Sequence, residues 1–410
     1  MKKEIDLSYK KALELLRKNS TNSGFLASNN NKTNYKRIWS RDGVVIGLAS
    51  LMSDDKELVS VFKENLKTLK KYQDKKTGRI PSNVGVVSGN VSYGTLVGKI
   101  DSTLWYVIGI GQYFKYTKDK KFLREFKDSL KKALEYLDCL ELNDKGLLYI
   151  PTGGDWADEY VTHGYVLFDE ILYLQALKES EFIFKKLNKI SKSKEIKKKI
   201  SFLRKSIEIN FFPLKSKINN KQVYNKNLYL KLIKEFNKKY ALSYFSSDGC
   251  SENLDSFANS LFLLMNLGSV KEKEQILKNM LSVLNKQKIK IIPAFWPPIT
   301  SKNQFLFDIL KTNSLFEFRN KPGFYHNGGL WPLVQGFFIF SLVKQGEKKK
   351  ARELLEEFSK NLKKDNYEFH EYFDSNQYKP RGIKEMGFSA SGYIIAYLSV
   401  IKNKKIFRES

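Results

Sequence analysis

The sequence predicts an all-α protein, a single domain over residues 1–410 in which six helical hairpins close into an (α/α)6 barrel, or six-hairpin toroid. Three observations predict this fold. Helical periodicity of apolar residues dominates the chain, and strand-like alternation is scarce. The connections between helices alternate between short and long. Helices that follow long connections are apolar nearly all round, whereas their partners are amphipathic.

Twelve helical stretches make up the predicted hairpins. Their ranges are 6–18, 41–53, 56–73, 99–117, 121–138, 164–187, 193–209, 253–267, 270–285, 328–345, 348–364 and 387–402. Short breaks at 53–55, 117–119, 268–269 and 346–347 each suit an antiparallel helical hairpin. Segments of roughly 20–40 residues separate one hairpin from the next, and loops that long are uncommon unless they are functional. If hairpins stack side by side, all long loops therefore lie at one end of the assembly.

The apolar character of the helices separates an inner ring from an outer one. Asp101–Gly111, Ser256–Met265 and Gly328–Val343 are apolar on nearly all sides, as helices buried on both faces must be. Their partners, such as Lys271–Leu284 and Glu347–Lys363, are amphipathic and charged. An open solenoid of helical repeats is the alternative, but solenoid repeats are shorter and more uniform. The pattern favours the closed double ring.

The formal net charge of +28 raises the question of a nucleic-acid partner. The lysines are spread along most helices and are densest from Lys185 to Lys205, at solvent-face spacing without interleaved aromatic residues. This distribution favours a solvated basic surface, so neither nucleic acid nor a membrane is expected as a partner. Two cysteines exclude a disulfide framework, and the N-terminal stretch lacks the apolar core of a secretory signal, so a cytoplasmic location is expected.

Histidine and tryptophan cluster at the end of the ring that carries the long loops. They lie in the long segments or at the starts of inner helices: His163, His326, His370, Trp39, Trp105, Trp156, Trp296 and Trp331. Core packing accounts for any one tryptophan, but not for the clustering of all of them. An aromatic rim with a few convergent polar groups indicates a pocket for a neutral polar ligand such as a sugar.

Two of the segments at this end place charged residues where inner helices begin. In Trp39-Ser40-Arg41-Asp42-Gly43, Arg beside Asp suits a polar clamp on sugar hydroxyls, although Ser40 or Asp42 could instead cap the helix. Asp101-Ser102-Thr103-Leu104-Trp105 opens the next inner helix, and Asp101 could likewise be its cap.

A third segment carries three carboxylates within five positions, in Gly154-Asp155-Trp156-Ala157-Asp158-Glu159 followed by His163. Like charges held together, or one of them desolvated, raise a pKa and leave a proton to donate at neutral pH. The alternative is a helix N-terminus with favourable acidic residues.

The fourth and fifth segments complete the predicted pocket. Tyr325-His326-Asn327-Gly328-Gly329-Leu330-Trp331 has paired glycines that let the backbone approach a ligand closely, and Glu371 lies between aromatic residues before the last inner helix. A carboxylate from the third segment and Glu371 would then face each other across the mouth of the ring. Opposed carboxylates from different parts of a chain are what glycoside hydrolysis needs. The sequence shows no metal-binding constellation, phosphate-cradling loop or serine elbow, so no metal or cofactor is expected.

At these residues the sequence resembles the helical-toroid glycoside hydrolases: glucoamylases, amylo-1,6-glucosidase domains of debranching enzymes, mannosylglycerate and glucosylglycerate hydrolases, and neutral/alkaline invertases. Trp39-Ser40-Arg41-Asp42 is similar to the W-x-R-D that binds the terminal sugar in these families, and Asp101–Trp105 to the D-[SAT]-x-[LW]-W of debranching enzymes and invertases. Tyr325–Pro332 resembles the Y-H-N-G-G-x-W-P of neutral invertases. Glu371-Tyr372-Phe373-Asp374 is similar to the E-Y-[YF]-D that carries the catalytic base.

The resemblance implies inversion by a general acid and a general base, with Glu371 as the base. Trp156-Ala157-Asp158 follows the spacing of W-M-D in debranching enzymes, so Asp158 is the expected acid. Asp155 is the alternative, because sister families place the acid directly after a Gly-rich turn. Trp39, Arg41, Asp42 and His326 are expected to shape the terminal-sugar pocket, and the further expected substrate contacts are Asp101, Trp105, Trp156, His163, Tyr325, Asn327 and Trp331.

The predicted activity is exo-acting hydrolysis of an α-glucoside, as in amylo-α-1,6-glucosidases. Sucrose is the second candidate, weakened because the Pro-Leu-Glu of the invertases is absent after the second histidine, and glucosylglycerate or mannosylglycerate is a further one. A carbohydrate-binding toroid without turnover is the non-enzyme alternative. A basic scaffold for RNA or an acidic protein is another, and the even spread of lysine counts against it.

Overall fold

The computed structural model describes residues 2–30, 35–86, 89–235, 239–247 and 249–408. Its α-helices are α1 (Lys2–Lys18), α2 (Ser40–Ser53), α3 (Lys56–Lys71), α4 (Ile100–Thr117), α5 (Lys120–Asp138), α6 (Leu167–Lys186), α7 (Ile190–Asn210), α8 (Lys226–Glu235), α9 (Ser256–Leu264), α10 (Val270–Asn285), α11 (Gln304–Thr312), α12 (Pro332–Lys344), α13 (Lys348–Lys364) and α14 (Gly387–Lys402).

Strands are short and lie between the helices. They are β1 (Ser20–Thr21), β2 (Gly24–Phe25), β3 (Arg37–Trp39), β4 (Asn83–Gly85), β5 (Val91–Ser92), β6 (Tyr165–Val166), β7 (Tyr244–Phe245), β8 (Cys250–Ser251), β9 (Leu254–Asp255), β10 (Phe295–Trp296), β11 (Tyr372–Phe373) and β12 (Pro380–Arg381). All pairings are antiparallel, and they join β1 to β2, β9 to β10, β11 to β12, and the triplets β3-β4-β5 and β6-β7-β8. The sheets β3-β4-β5, β6-β7-β8 and β9-β10 tie neighbouring long loops together, whereas β1-β2 and β11-β12 each lie within one loop.

The helices form the predicted double ring. In the inner ring α2, α4, α6, α9, α12 and α14 each pack on the next, and α14 closes the circle against α2. The helices α3, α5, α7, α10 and α13 lie outside their preceding inner helices, and α1 packs on α14 as the sixth outer helix. Every predicted helical stretch is present, and the all-α toroid is confirmed. The helices α8 and α11 were missed; both lie inside segments that the sequence analysis treated as loops.

The burial of the helices explains why the sequence folds this way. In the inner helix α12 every residue from Pro332 to Leu342 is buried, so no polar face is needed. The outer helix α13 buries only one stripe, in which Leu354, Leu355 and Phe358 face the inner ring. Inner helices pack closely where glycine allows it. A Cβ atom at Gly336 in α12 would lie 2.1 Å from the carbonyl oxygen of Gly392 in α14.

All six inner helices begin at the same end of the ring, which is the end with the long loops. The two capping alternatives raised by the sequence are wrong, because the N-cap of α2 is Trp39 and that of α4 is Lys99, neither with a side-chain capping bond. The third segment is likewise not a helix N-terminus, since α6 begins only at Leu167. Among the helices of the described residues, none is long and apolar enough to span a membrane.

Candidate active site

A cavity of about 980 Å³ opens at the end of the ring where the inner helices begin. Four N-cap residues of inner helices line it: Trp39 of α2, Lys99 of α4, Trp331 of α12 and Met386 of α14. Helix N-termini carry partial positive charge, so their convergence favours anionic groups in this space. The cavity is therefore a suitable place for carboxylates.

Glu371 lines this cavity directly before β11 and is almost fully buried. The hydroxyl of Tyr35 donates a hydrogen bond of 2.9 Å to its Oε1. Gly382 makes room for the carboxylate, because a Cβ atom there would lie 2.2 Å from Oε2. Burial raises the pKa of Glu371 to about 7, against the lowering effects of the Tyr35 hydrogen bond and the Arg319 cation.

Asp158 lines the same cavity on the loop before α6. Burial alone would raise its pKa, but the nearby cations of Lys99 and Arg41 hold that pKa well below its usual range. The ammonium of Lys99 contacts Oδ1 of Asp158 and also donates a hydrogen bond of 2.9 Å to the main-chain oxygen of Asp155. In the free cavity Asp158 is therefore ionised.

Arg41 and Asp42 enter the cavity from the first turn of α2. The guanidinium of Arg41 donates a hydrogen bond of 2.7 Å to Oδ2 of Asp101, which is fully buried in the first turn of α4. Asp101 thus positions Arg41 and does not line the cavity itself. Burial raises the pKa of Asp42 to about 6, with Arg41 opposing the rise. Asp42 and Arg41 present an acceptor and a donor side by side in the cavity lining.

His326 supplies an acceptor for a ligand. Its Nδ1 lies 3.2 Å from the main-chain oxygen of Asp158, and since a carbonyl oxygen only accepts, Nδ1 carries the hydrogen. Burial lowers the pKa of His326 to about 3, so the ring is neutral. Its Nε2 is buried, has no hydrogen-bond partner among the described residues, and belongs to a side chain that lines the cavity. A neutral ring with an unpaired Nε2 suits a sugar hydroxyl as donor.

Aromatic rings form the wall around these groups. The ring of Trp331 stacks on His326 with centroids 4.8 Å apart, and Trp156 meets both rings edge-on. Tyr325 and Trp39 also line the cavity, and the Trp331 indole is fixed by a hydrogen bond of 3.0 Å to the main-chain oxygen of Tyr325. These rings present apolar faces on which the C–H faces of a sugar can pack.

The structure brings together nine of the fourteen predicted site residues in the cavity lining: Trp39, Arg41, Asp42, Trp156, Asp158, Tyr325, His326, Trp331 and Glu371. The other five, Asp101, Trp105, Asp155, His163 and Asn327, do not line it. The side chains of Asp101, Trp105, Asp155 and Asn327 are fully buried, which favours a supporting position over direct substrate contact, and His163 is half-buried outside the lining.

The contacts of these five residues show what they support. Asp155 is fully buried and accepts hydrogen bonds from the Thr162 hydroxyl at 2.9 Å and the Ala157 amide at 3.1 Å, which shapes the loop that carries Asp158. The Asn327 side chain bonds the main chain of Ile299 and Asn320. Trp105 is fully buried and packs against Phe168. His163 lies 3.0 Å from the Val161 carbonyl through Nδ1, and its ring lies beside Tyr244.

Sequence reasoning missed several polar residues of the cavity. Lys99 precedes the Asp101 motif by two positions, and Tyr35 precedes Trp39 by four, so proximity to a motif was the available signal. Arg319 lies in the long segment before the Tyr325 motif, stacks over the Tyr325 ring at 4.3 Å and pairs with Glu159 at 3.3 Å. No spacing rule points to Arg319, because only the course of its loop brings it to the cavity.

One further cluster resembles a metal site by residue type. Among the described residues, Asp365, Glu368 and His370 have ligand atoms close enough to hold a metal ion. None of the three lines the cavity, and Nδ1 of His370 already lies 2.9 Å from Oδ2 of Asp365. A histidine held between two carboxylates accounts for this arrangement.

The chain matches the sequence family of alkaline and neutral invertases over residues 13–244 and 253–400. A relative from Arabidopsis thaliana, named probable alkaline/neutral invertase A, chloroplastic, is 26% identical over an alignment of 404 residues, and the match covers 85% of this chain and 61% of the relative. The chain thus spans about three fifths of the length of this curated relative.

Solved structures share the fold at low sequence identity. The GH63 mannosylglycerate hydrolase from Thermus thermophilus, in complex with glucose, has a TM-score of 0.66 at 14% identity and covers 94% of this chain and 98% of its own. A bacterial glucoamylase complexed with acarbose has a TM-score of 0.66 at 16% identity, with coverages of 97% and 56%. The glucoamylase from Saccharomycopsis fibuligera gives 0.65 at 13% identity, with coverages of 97% and 95%. From its sequence match over most of its length, the chain belongs to the alkaline and neutral invertase family of glycoside hydrolases.

Proposed function

We propose that this protein is an exo-acting, inverting glycoside hydrolase in which Asp158 and Glu371 are the catalytic carboxylates. The observation that carries the proposal is that these two side chains, from loops more than two hundred residues apart, line one aromatic-walled cavity. Asp155, the other candidate for the acid, is fully buried and does not line the cavity. The geometry therefore favours Asp158 over Asp155.

The proposed reaction needs a carboxyl group on each side of the glycosidic bond. The general acid gives its proton to the glycosidic oxygen, and the bond from that oxygen to the anomeric carbon breaks. The general base takes a proton from a water molecule, whose oxygen attacks the anomeric carbon from the opposite face. Arg41, Asp42 and His326 would hold the hydroxyls of the terminal sugar, and Trp39, Trp156 and Trp331 would contact its apolar faces.

The resemblance assigns the acid to Asp158 and the base to Glu371, but the free cavity has the opposite proton distribution. Lys99 and Arg41 keep Asp158 ionised, whereas Glu371 with a pKa of about 7 is partly protonated at neutral pH. Asp158 must therefore gain a proton in the substrate complex. A bound sugar displaces water from the carboxylate, and desolvation acts in this direction because it disfavours the charged form.

A leaving-group experiment decides between the two role assignments. Asp158→Asn and Glu371→Gln should each lower kcat by about 100- to 10,000-fold on a natural glycoside. On α-glucosyl fluoride the leaving group needs no proton, so Asp158→Asn should recover most of its activity and Glu371→Gln should not. Recovery by Glu371→Gln alone would assign the acid to Glu371. Near-normal turnover of both variants on both substrates would place the catalytic site elsewhere.

The family match makes sucrose the leading substrate candidate, ahead of the α-1,6-glucosides that the sequence favoured. Sucrose is itself an α-glucoside, so the same pocket for a terminal glucose would serve. A panel of sucrose, isomaltose, panose, trehalose, glucosylglycerate and mannosylglycerate tests the choice, with the highest kcat/KM expected for sucrose. A kcat/KM for isomaltose or panose above that for sucrose would contradict the proposal.

Inversion of the anomeric configuration can be measured directly. NMR spectra recorded in the first minutes of hydrolysis should show the β-anomer of glucose released from an α-glucoside. Release of the α-anomer would show retention and would rule out the proposed mechanism.

A further inference from the structure

A second cavity lies at the opposite end of the ring and has a different charge balance. It encloses about 650 Å³ and is lined where inner helices end: Lys115 on α4, Lys185 at the end of α6, Lys344 at the end of α12. The outer helix α7 supplies Lys197 and Arg204. The lysine-dense stretch from Lys185 to Lys205, which the catalytic cavity leaves unexplained, thus forms one side of this space.

The two cavities differ sharply in net charge. Among the described residues, eight basic ones and a single acidic one, Glu181, line the second cavity, whereas six basic and five acidic residues line the catalytic cavity. The formal lining charge is therefore +7 in the second cavity and +1 in the first. The second cavity thus brings several positive charges together at one concave site, and concave sites focus the potential of such charges.

Part of this charge has an ordinary structural cause. Cations near helix C-termini stabilise the helix dipole, which accounts for Lys115, Lys185 and Lys344. Lys115 in addition pairs with the buried Glu179 at 3.0 Å. This cause does not extend to Lys197 and Arg204, which lie inside α7 and not in its last turn.

Three of the lysines that line the cavity form no ion pair with the described residues. Lys185, Lys197 and Lys344 are exposed, and the described residues offer their ammonium groups no carboxylate within ion-pair distance. By contrast Arg204 pairs with Glu208 at 3.1 Å and Arg408 with Asp54 at 3.3 Å. Three unpaired ammonium groups around one cavity repel one another, and a multiply charged anion would relieve that repulsion.

The wall between the lysines is apolar. Phe182, Leu264, Met265, Phe340 and Ile406 line the cavity together with Phe407. A volume of this size fits a ligand of nucleotide dimensions, since small-molecule sites commonly measure about 300–1,000 Å³. Aromatic rings beside ammonium groups suit a molecule with a flat apolar part and a phosphate chain.

We infer that this second cavity binds a small phosphorylated ligand with several phosphate charges and an aromatic part, of the nucleoside polyphosphate class. The lysines Lys185, Lys197 and Lys344 hold the phosphates, and the apolar wall takes the aromatic part. The inference is independent of the hydrolytic reaction, because no lining residue of this cavity belongs to the catalytic one.

Isothermal titration calorimetry with ATP and with inorganic tripolyphosphate, both free of divalent metal, tests the site. Saturable binding of one ATP per chain is expected, with tripolyphosphate weaker. The variant Lys185→Glu/Lys197→Glu/Lys344→Glu should weaken ATP binding by about tenfold or more, a difference of at least about 1.4 kcal/mol. The control Lys10→Glu/Lys121→Glu/Lys349→Glu makes the same change in net charge at exposed lysines outside the cavity and should stay within about twofold of the parent.

Several outcomes would overturn the inference. Absence of saturable binding, more than one ATP per chain, or equal weakening in the cavity and control variants would show diffuse charge and no site. Equal affinity for ATP and tripolyphosphate would show that the aromatic part of the ligand does not contribute to binding. If a single-stranded oligonucleotide bound more tightly than ATP and lost affinity in the cavity variant alone, the occupant would be a nucleic acid. Unchanged hydrolysis and an unchanged Tm in the cavity variant confirm that it is folded.

Discussion

The ammonium group of Lys99 touches both candidates for the catalytic acid. It contacts Oδ1 of Asp158 and donates a hydrogen bond of 2.9 Å to the main-chain oxygen of Asp155. Lys99 is itself almost fully buried, so little water screens this charge. One side chain therefore fixes the loop through Asp155 and sets the charge state of Asp158.

Replacing Lys99 should change the pH dependence of hydrolysis. Lys99→Met removes a cation that lowers the pKa of Asp158, so that pKa should rise. If Asp158 is the acid, the basic limb of the kcat profile, which reports the substrate complex, should move to higher pH. The measurement is kcat against pH for both proteins. The control Lys217→Met breaks the ion pair with Glu272 outside the cavity and should leave the limb in place. An unmoved limb in Lys99→Met would contradict the role given to this contact.

The same substitution should change stability in a pH-dependent way. The folded pKa of Asp158 lies below its unfolded value of about 3.9, so its ionic interactions stabilise the fold above that pH and lose this effect as the pH falls. Lys99→Met should therefore lower Tm most at neutral pH, and the difference from the parent should shrink below about pH 4. Thermal unfolding at several pH values from about 7 down to about 2 measures it. A constant difference across this range would argue against the ion pair.

Replacing Tyr35 should change the pKa of Glu371, the other carboxyl group of the cavity. Tyr35→Phe removes the hydrogen bond of 2.9 Å that lowers the pKa of Glu371, so that pKa should rise above about 7. With Glu371 as the base, the acidic limb of the kcat profile, which reports the substrate complex, should move to higher pH. Tyr393→Phe removes a buried hydroxyl elsewhere, bonded to Ser359, and should not move either limb. Movement of the basic limb in Tyr35→Phe would instead identify Glu371 as the acid.

Asp101 should act through Arg41. Asp101→Asn keeps the shape of the side chain but removes the charge that holds the Arg41 guanidinium at 2.7 Å. The expected result is a loss of about 10- to 100-fold in kcat/KM, corresponding to about 1.4–2.8 kcal/mol of transition-state stabilisation. Asp255→Asn changes another buried aspartate, the N-cap of α9, which does not line the cavity. If both variants lose the same activity in proportion to Tm, the effect of Asp101 is structural only.

The close approach of two inner helices should limit what residue 336 can be. Gly336→Ala places a Cβ atom 2.1 Å from the carbonyl oxygen of Gly392, so α12 and α14 must separate. The expected cost is about 1–3 kcal/mol of unfolding free energy, as for overpacking in other cores. Denaturant unfolding followed by circular dichroism measures it. Gly98→Ala, where the nearest atom is a side-chain nitrogen at 3.4 Å, is the control that should cost less. Equal stabilities would show that the helices adjust freely.

Much of the fold could be predicted because burial imposes a pattern on sequence. The continuous apolar run of α12 and the single apolar stripe of α13 are direct consequences of inner and outer positions. The helices α8 and α11 escaped prediction because they are short, with ten and nine residues, and lie inside long segments between hairpins. Helix α11 also contributes little to the core, since Leu310 is the only buried residue among its described positions.

The candidate site divides in the same way. Local sequence placed Trp39, Asp42, His326 and Glu371 at the loop-bearing end, and the structure places all four in one cavity. Other residues of the same motifs do not line the cavity, because adjacent residues of a loop point to opposite sides. Asn327 follows His326 and Asp155 precedes Trp156, yet both side chains bond the protein interior.

The sequence by itself determined the double ring, because inner and outer positions leave different apolar patterns along the chain, and its motifs indicated a glycoside hydrolase. Only the tertiary structure decided which carboxylate of Asp155 and Asp158 reaches the cavity and which cations control it. Lys99 and Arg41 come from two different inner helices, and their charges act on Asp158 through space at distances that chain order does not encode. The second cavity likewise depends on the tertiary structure, because lysines spread along the sequence meet at one end of the ring only when the hairpins close.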